Sequence, residues 1–203
     1  MKIHIHKKDI PANIKFVQSV AVDTETMGLD PKRDRLCVVQ LSSVDGECHI
    51  VQIPDEGLNS PNLKSLFVNK NITKIFHYAR FDMAILHQAF NINVHPIYCT
   101  KIASKIARTY TDKHGLKELC KELLSIDISK AQQCSDWGLE NLSKEQINYA
   151  ANDVLHLHKL KEKLDKMLIR ENRINLANDC FNFLPKRVEL DLAGWINSDI
   201  FAH

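Results

Sequence analysis

The stretch that most constrains the fold is Ser19-Val20-Ala21-Val22-Asp23-Thr24-Glu25-Thr26-Met27-Gly28-Leu29. An apolar run climbs to two carboxylates one residue apart, and a glycine follows. Alternate side chains of a strand share a face, so Asp23 and Glu25 point the same way from the end of a buried strand. Two carboxylates that close repel, and one takes up a proton unless a cation sits between them. The pattern reads either as a divalent-metal site or as a polar strand end running into a glycine turn. D-x-E alone does not decide between them.

Size and charge set the frame. The 203 residues suffice for one domain with a sizeable core. A net charge of only +2 does not imply a long duplex lying on a basic surface; a short or locally held anion is easier to accommodate. The start, Met1-Lys2-Ile3-His4-Ile5-His6, alternates like a strand and lacks the apolar core of a signal peptide. No run is long enough to span a bilayer, so no membrane partner is expected. Cys37, Cys48, Cys99, Cys120, Cys134 and Cys180 are scattered, with no C-x-x-C pair. That suits free thiols in a reducing cytoplasm better than a disulfide frame or a zinc site.

Periodicity predicts strands at 3–5, 17–24, 36–42 and 48–53, the last two joined by an Asp45-Gly46 turn. These make a three-stranded meander with an edge strand beside it. Helices are expected at 62–69, 79–90, 101–108 and 115–124, and strands at 73–77 and 97–100. Ser143 and Gln146 form a capping box, stapled by Leu142 and Ile147. From there one apolar stripe, Ile147 to Leu168, runs on for about six turns. A last helix covers 174–183 and stops at Pro185. Strands first and helices threaded later point to α/β or α+β with a mixed sheet.

Two more acids stand out. Asp82 follows the 73–77 strand near a helix start, where the macrodipole alone would favour it. Tyr149 and Asp153 lie four apart on one helix face, which also fits the half-wet border of an amphipathic helix. Together the set is more specific. D-x-E on a strand, an Asp opening a helix and Y-x-x-x-D on a late helix resemble the DEDDy 3′→5′ exonucleases. Gln133-Cys134-Ser135-Asp136-Trp137, with Leu142-Ser143, Gln146, Tyr149-Ala150 and Asp153-Val154, is similar to the ribonuclease D signature. Several stretches look closer to the compact nano-RNase C (NrnC) group: 33–42, 100–105, 108–112 and the ending Asp199-Ile200-Phe201-Ala202-His203.

The resemblance implies an α/β, RNase-H-like exonuclease fold, a mixed sheet with surrounding helices, forming a single domain over 1–203. It implies a two-metal site of Asp23, Glu25, Asp82 and Asp153 holding Mg²⁺ or Mn²⁺, hard cations that prefer carboxylate oxygens. By the family's pattern Asp23 bridges both ions, Glu25 and Asp153 hold the water-activating one, and Asp82 supports the pair. Tyr149 would orient the attacking water, since its ordinary pKa near 10 makes it a poor base. Substrate contacts are expected from Thr26, Met27, Gly28 and Leu29, the last as an apolar wedge between bases, or else as a core residue at the turn. His77, Tyr78 and Phe81 are candidates for base stacking, with plain core the other reading of Phe81. Arg108, Tyr110 and Lys113 sit in a hydroxyl-rich loop and are candidate anion contacts. A bound 5′ phosphate there would let the enzyme measure length.

The resemblance implies short RNA, above all dinucleotides, as the substrate, and the low net charge agrees with it; trimming of longer RNA such as tRNA, or action on DNA, are the alternatives. An inactive binding domain is the third reading. Four mutually repelling acids argue against it. The segment 184–203 is too apolar for a free tail. It packs on its own domain or forms an oligomer interface, and the resemblance points to a closed ring, an octamer.

Overall fold

The structure is a computed structural model that describes residues 2–55, 59–128 and 135–202. Gln133 and Cys134 of the signature, and the terminal Met1 and His203, lie outside them. Six strands form one sheet in the order β1-β4-β3-β2-β5-β6. They are β1 (Lys2–Lys7), β2 (Ser19–Thr26), β3 (Leu36–Ser42), β4 (Glu47–Gln52), β5 (Thr73–Phe76) and β6 (Ile97–Cys99). The meander β2-β3-β4 is antiparallel, whereas β1 joins β4, β5 joins β2 and β6 joins β5 in parallel. The sheet is mixed, as expected. β3 is buried along its whole length, which is why its sequence is continuously apolar around Gln40 rather than alternating.

The ladder between β2 and β5 is short. It pairs Ser19 with Thr73, Val20 with Lys74 and Ala21 with Ile75, and stops there. On its other side β2 continues against β3 through Asp23, paired with Gln40, and Glu25, paired with Val38, with an irregularity at Glu25/Thr26. Strand β2 thus extends two residues past its expected end, and both acids lie within it.

Seven helices surround the sheet among the described residues: α1 (Pro61–Val68), α2 (Ala79–Phe90), α3 (Thr100–Ala107), α4 (Leu116–Leu119), α5 (Lys144–Leu155), α6 (Leu157–Arg170) and α7 (Ile174–Leu190). A π-helical turn, Cys120–Leu124, prolongs α4. Two expectations need correction. The six-turn stripe is broken at His156 into α5 and α6. Ala150, Val154, Leu157, Leu160, Leu164 and Leu168 remain fully buried across the break. The halves have different partners: α5 lies on β2, β3 and β4, and α6 packs mainly against α3. The last helix also runs through Pro185 to Leu190. Proline removes one internal hydrogen bond, and the burial of Phe181, Leu184 and Val188 on either side holds the helix together regardless.

Candidate active site

The four acids are delivered by three elements. Asp23 and Glu25 share a face of β2 through the two-residue period of a strand. Asp153 and Tyr149 come from α5, whose start is fixed by the capping box: Ser143 Oγ accepts from Gln146 N at 3.2 Å and Gln146 Oε1 accepts from Ser143 N at 2.9 Å. Asp82 sits in the first turn of α2. It enters where β2 has lost its β5 neighbour. There the Thr24 hydroxyl donates to Asp82 Oδ1 at 2.7 Å, and the Thr24 backbone N–H donates to the same carboxylate. Asp82 takes the place of the missing rung.

Oxygens of Asp23, Glu25 and Asp153 lie within 4.8 Å of one another, and among the described residues no other three acid, histidine or cysteine side chains converge so closely. Asp82 is near enough for its charge to raise the pKa of both Asp23 and Glu25. Burial is the larger cause throughout. Burial, then Asp82, Asp153 and Glu25, push Asp23 well above the carboxylate range. Burial and then Asp153 and Asp82 raise Glu25 to about 9. Burial raises Asp82 to about 7 against the pull of its Thr24 bonds, and Asp153 to about 7 against a hydrogen bond from the Tyr149 hydroxyl. Such a group cannot ionise together without cationic charge between its members. The donors are hard oxygens, which fit a divalent cation. Gln40, paired across the ladder from Asp23, is fully buried with neither amide atom hydrogen-bonded.

The loop after β2 carries Leu29, expected either as a wedge or as a core residue. Leu29 is 84% exposed, so it is not a core residue, and Met27 is half exposed. Thr26 Oγ1 bonds the Gly28 carbonyl. A Cβ at Gly28 would overlap the Asp34 carboxylate, which folds back on Asp30 N at 2.9 Å. His77 Nδ1 meets Thr100 Oγ1 at 2.9 Å. Phe81 is half-buried and packs on the core. Tyr78 is exposed, with the Lys101 ammonium 4.1 Å from its ring centre.

Arg108 is placed differently from the expectation. It is fully buried. Its guanidinium donates to Ser104 Oγ, the Lys113 carbonyl and the Tyr110 hydroxyl, and pairs with Glu122. Tyr110 is exposed, but its hydroxyl is held by Glu122 at 2.8 Å. The pair buttresses its own loop, and Arg108 has no open face for an anion. Conversely, Thr24 and Lys101 carry no signal as single residues, and Trp137, whose ring lies 6.0 Å from that of Tyr149, stands out in the sequence only as part of the ribonuclease D signature. Thr24 alternates away from its two neighbours, so strand period hides it. Lys101 looks like any solvated helix lysine.

A sequence family described as 3′-5′ exonuclease matches residues 5–169. The chain belongs to the 3′-5′ exonuclease family. Ribonuclease D of Acidiphilium cryptum is 36% identical over 156 residues, covering 77% of this chain and 39% of that exonuclease. The chain spans about two fifths of the length of the curated relatives it matches. Brucella melitensis NrnC with bound Mg²⁺ is 53% identical over the whole of both chains, with a TM-score of 0.95. The same protein bound to pGG is 54% identical, with a TM-score of 0.96 over 100% of this chain and 99% of that one. Escherichia coli RNase D, at 22% identity and a TM-score of 0.75, covering 85% of this chain and 45% of its own, shares the exonuclease fold.

Proposed function

We propose that this protein is a divalent-metal-dependent 3′→5′ exoribonuclease. It hydrolyses dinucleotides and very short oligoribonucleotides to nucleoside 5′-monophosphates, the last step of RNA breakdown. The observation that carries the reading is the meeting of Asp23, Glu25 and Asp153 within 4.8 Å, with Asp82 beside them and the Tyr149 hydroxyl on Asp153. Asp23, Glu25, Asp82 and Asp153 would hold the cations, Mg²⁺ or Mn²⁺. Two such ions stabilise charge on the attacking and leaving oxygens of a phosphodiester.

The chain's own residues do the rest. Burial and then Asp153, Glu25 and Asp23 raise the Tyr149 pKa, so its hydroxyl stays protonated and orients water rather than taking a proton. Water attacks phosphorus, the bond to the 3′ oxygen of the preceding nucleotide breaks, and that oxygen leaves as a hydroxyl, the proton lost by the water being made up to it through solvent. Exposed Leu29 wedges between the last two bases, while the backbone of Thr26, Met27 and Gly28 lines the approach. His77, Phe81 and the Tyr78–Lys101 pair flank the nucleotide. Short RNA is favoured by the 54% identity to a protein solved with pGG and by the low net charge. The exposed apolar tail supports assembly into a ring, and free thiols support a cytoplasmic setting. Among the described residues no helix is long and apolar enough to cross a membrane.

The test is a timed digest of labelled two-, three-, seven- and twenty-nucleotide RNAs, and a DNA dinucleotide, with Mg²⁺ or Mn²⁺. The dinucleotide is expected to turn over fastest. Equal rates at every length would defeat the dinucleotide reading and leave a ribonuclease-D-like trimming enzyme.

A further inference from the structure

The start of α2 is held in an uncomfortable conformation. Tyr78, its N-cap, sits at φ 72, ψ 42 and offers no side-chain cap. A non-glycine residue there persists only where its surroundings over-determine it. On one side the holder is the bond from Thr24 to Asp82. On the other it is Arg80, two residues before Asp82. The Arg80 guanidinium grips Asp191 with two nitrogens, one of them Nη2 to Oδ1 at 2.7 Å, and Nη2 also donates to the Ile196 carbonyl at 2.7 Å.

Asp191 lies just past the end of α7, at the start of a π-helical turn, Asp191–Trp195. Its side chain is only 5% exposed and is shared with Arg187 at 2.8 Å. Arg187 in turn donates to the carbonyls of Trp195, Ile196 and Ser198. A buried carboxylate between two guanidiniums has one geometry and resists displacement, because moving either partner strands a charge. The two guanidiniums and Tyr78 also line one 610 Å³ cavity, so the clamp forms a wall beside the helix start.

We propose that Asp191 is a positioning residue of the exonuclease centre: through Arg80 it fixes the first turn of α2, and with it the Asp82 carboxylate. The C-terminal segment thereby becomes a condition of activity, although none of its described side chains enters the carboxylate cluster. This rests on the reading of Asp82 as a metal-holding residue.

The experiment uses the full chain and a labelled RNA dinucleotide. Turnover is titrated with Mg²⁺ for wild type, Asp191→Asn, Arg80→Gln and the double variant. Melting temperature and solution mass are followed in parallel. Each single substitution is expected to raise the half-activating Mg²⁺ concentration about fivefold or more and to lower kcat about tenfold, with the RNA KM unchanged. The double variant should lose less than the sum of the two single losses, since both variants break the Arg80–Asp191 contact. A lowered melting temperature with unchanged Mg²⁺ requirement would make the clamp merely structural and overturn the proposal. So would additive losses. Asp82→Asn is measured alongside. Inactive Asp82→Asn beside normal Asp191→Asn sinks the clamp alone, whereas active Asp82→Asn sinks the metal-centre reading and the clamp with it.

Discussion

Asp153 is caught between opposed forces: burial drives its pKa up to about 7 and the Tyr149 hydroxyl pulls it back. Glu25, at about 9, is further from its ordinary state. Carboxyls whose pKa is raised on folding bind protons in the native state that the unfolded chain has released. Native stability is therefore lost as pH rises from the unfolded carboxylate value toward 7 and then 9. The metal-free protein should melt higher at pH 5.5 than at pH 8, and Mg²⁺ should raise the melting temperature more at pH 8. Asp153→Asn should stabilise the metal-free protein, by about 2–4 °C per kcal/mol relieved, while abolishing hydrolysis. Calorimetry with a chelator or Mg²⁺ at both pH values checks this. Tyr149→Phe is expected to lose activity on the order of 100-fold and keep its metal, which single-turnover rates and metal titration separate. Near-wild-type turnover removes Tyr149 from the reaction. Asp23 and Glu25 were legible as a pair on the two-residue period of a strand, and Tyr149 and Asp153 on the four-residue spacing of a helix, whereas Asp82 showed only as an acid near a helix start. Arg108 was misread because a basic residue in a polar loop looks the same whether or not a Glu122 waits to bury it. Arg80 and Asp191, 111 residues apart, carry no local signal at all.

Secondary elements were legible where apolar pattern and end signals agreed. Helix α2 runs over 79–90 as its spacing predicts, and α5 starts at its capping box. Boundaries slipped where tertiary partners decide. The stripe through His156 is continuous in sequence, yet its halves bear on different neighbours. Proline at 185 stops an isolated helix but not one packed on both sides of it. Since α5 places Asp153 and Tyr149, its cap matters beyond the helix end. Ser143→Ala is expected to cost about 0.5–2 kcal/mol, read from the denaturant midpoint. The Mg²⁺ requirement should rise with it. An unchanged midpoint would show that packing of α5 on β2, β3 and β4 suffices to hold the start.

For the whole molecule, the open matter is the tail. It is tied to α7 and α2 by arginines, yet Trp195, Ile196, Ile200 and Phe201 remain between 44% and 77% exposed. An anchored backbone showing an apolar face fits contact with further copies. Wild-type protein should have the mass of a closed oligomer by light scattering, and Phe201→Glu should fall to smaller species while keeping its fold. A wild-type monomer at micromolar concentration would refute the ring. The sequence showed the tail's apolarity but not its anchorage, because carbonyl acceptors leave no trace in residue type.

The early end of the β2–β5 ladder has one last implication. Past Ala21 and Ile75 the two strands part like the tines of a fork, and the helix carrying Asp82 is wedged in the crotch. A single added rung would evict that carboxylate. The length of one four-residue strand therefore decides whether Asp82 can stand beside Asp23 and Glu25.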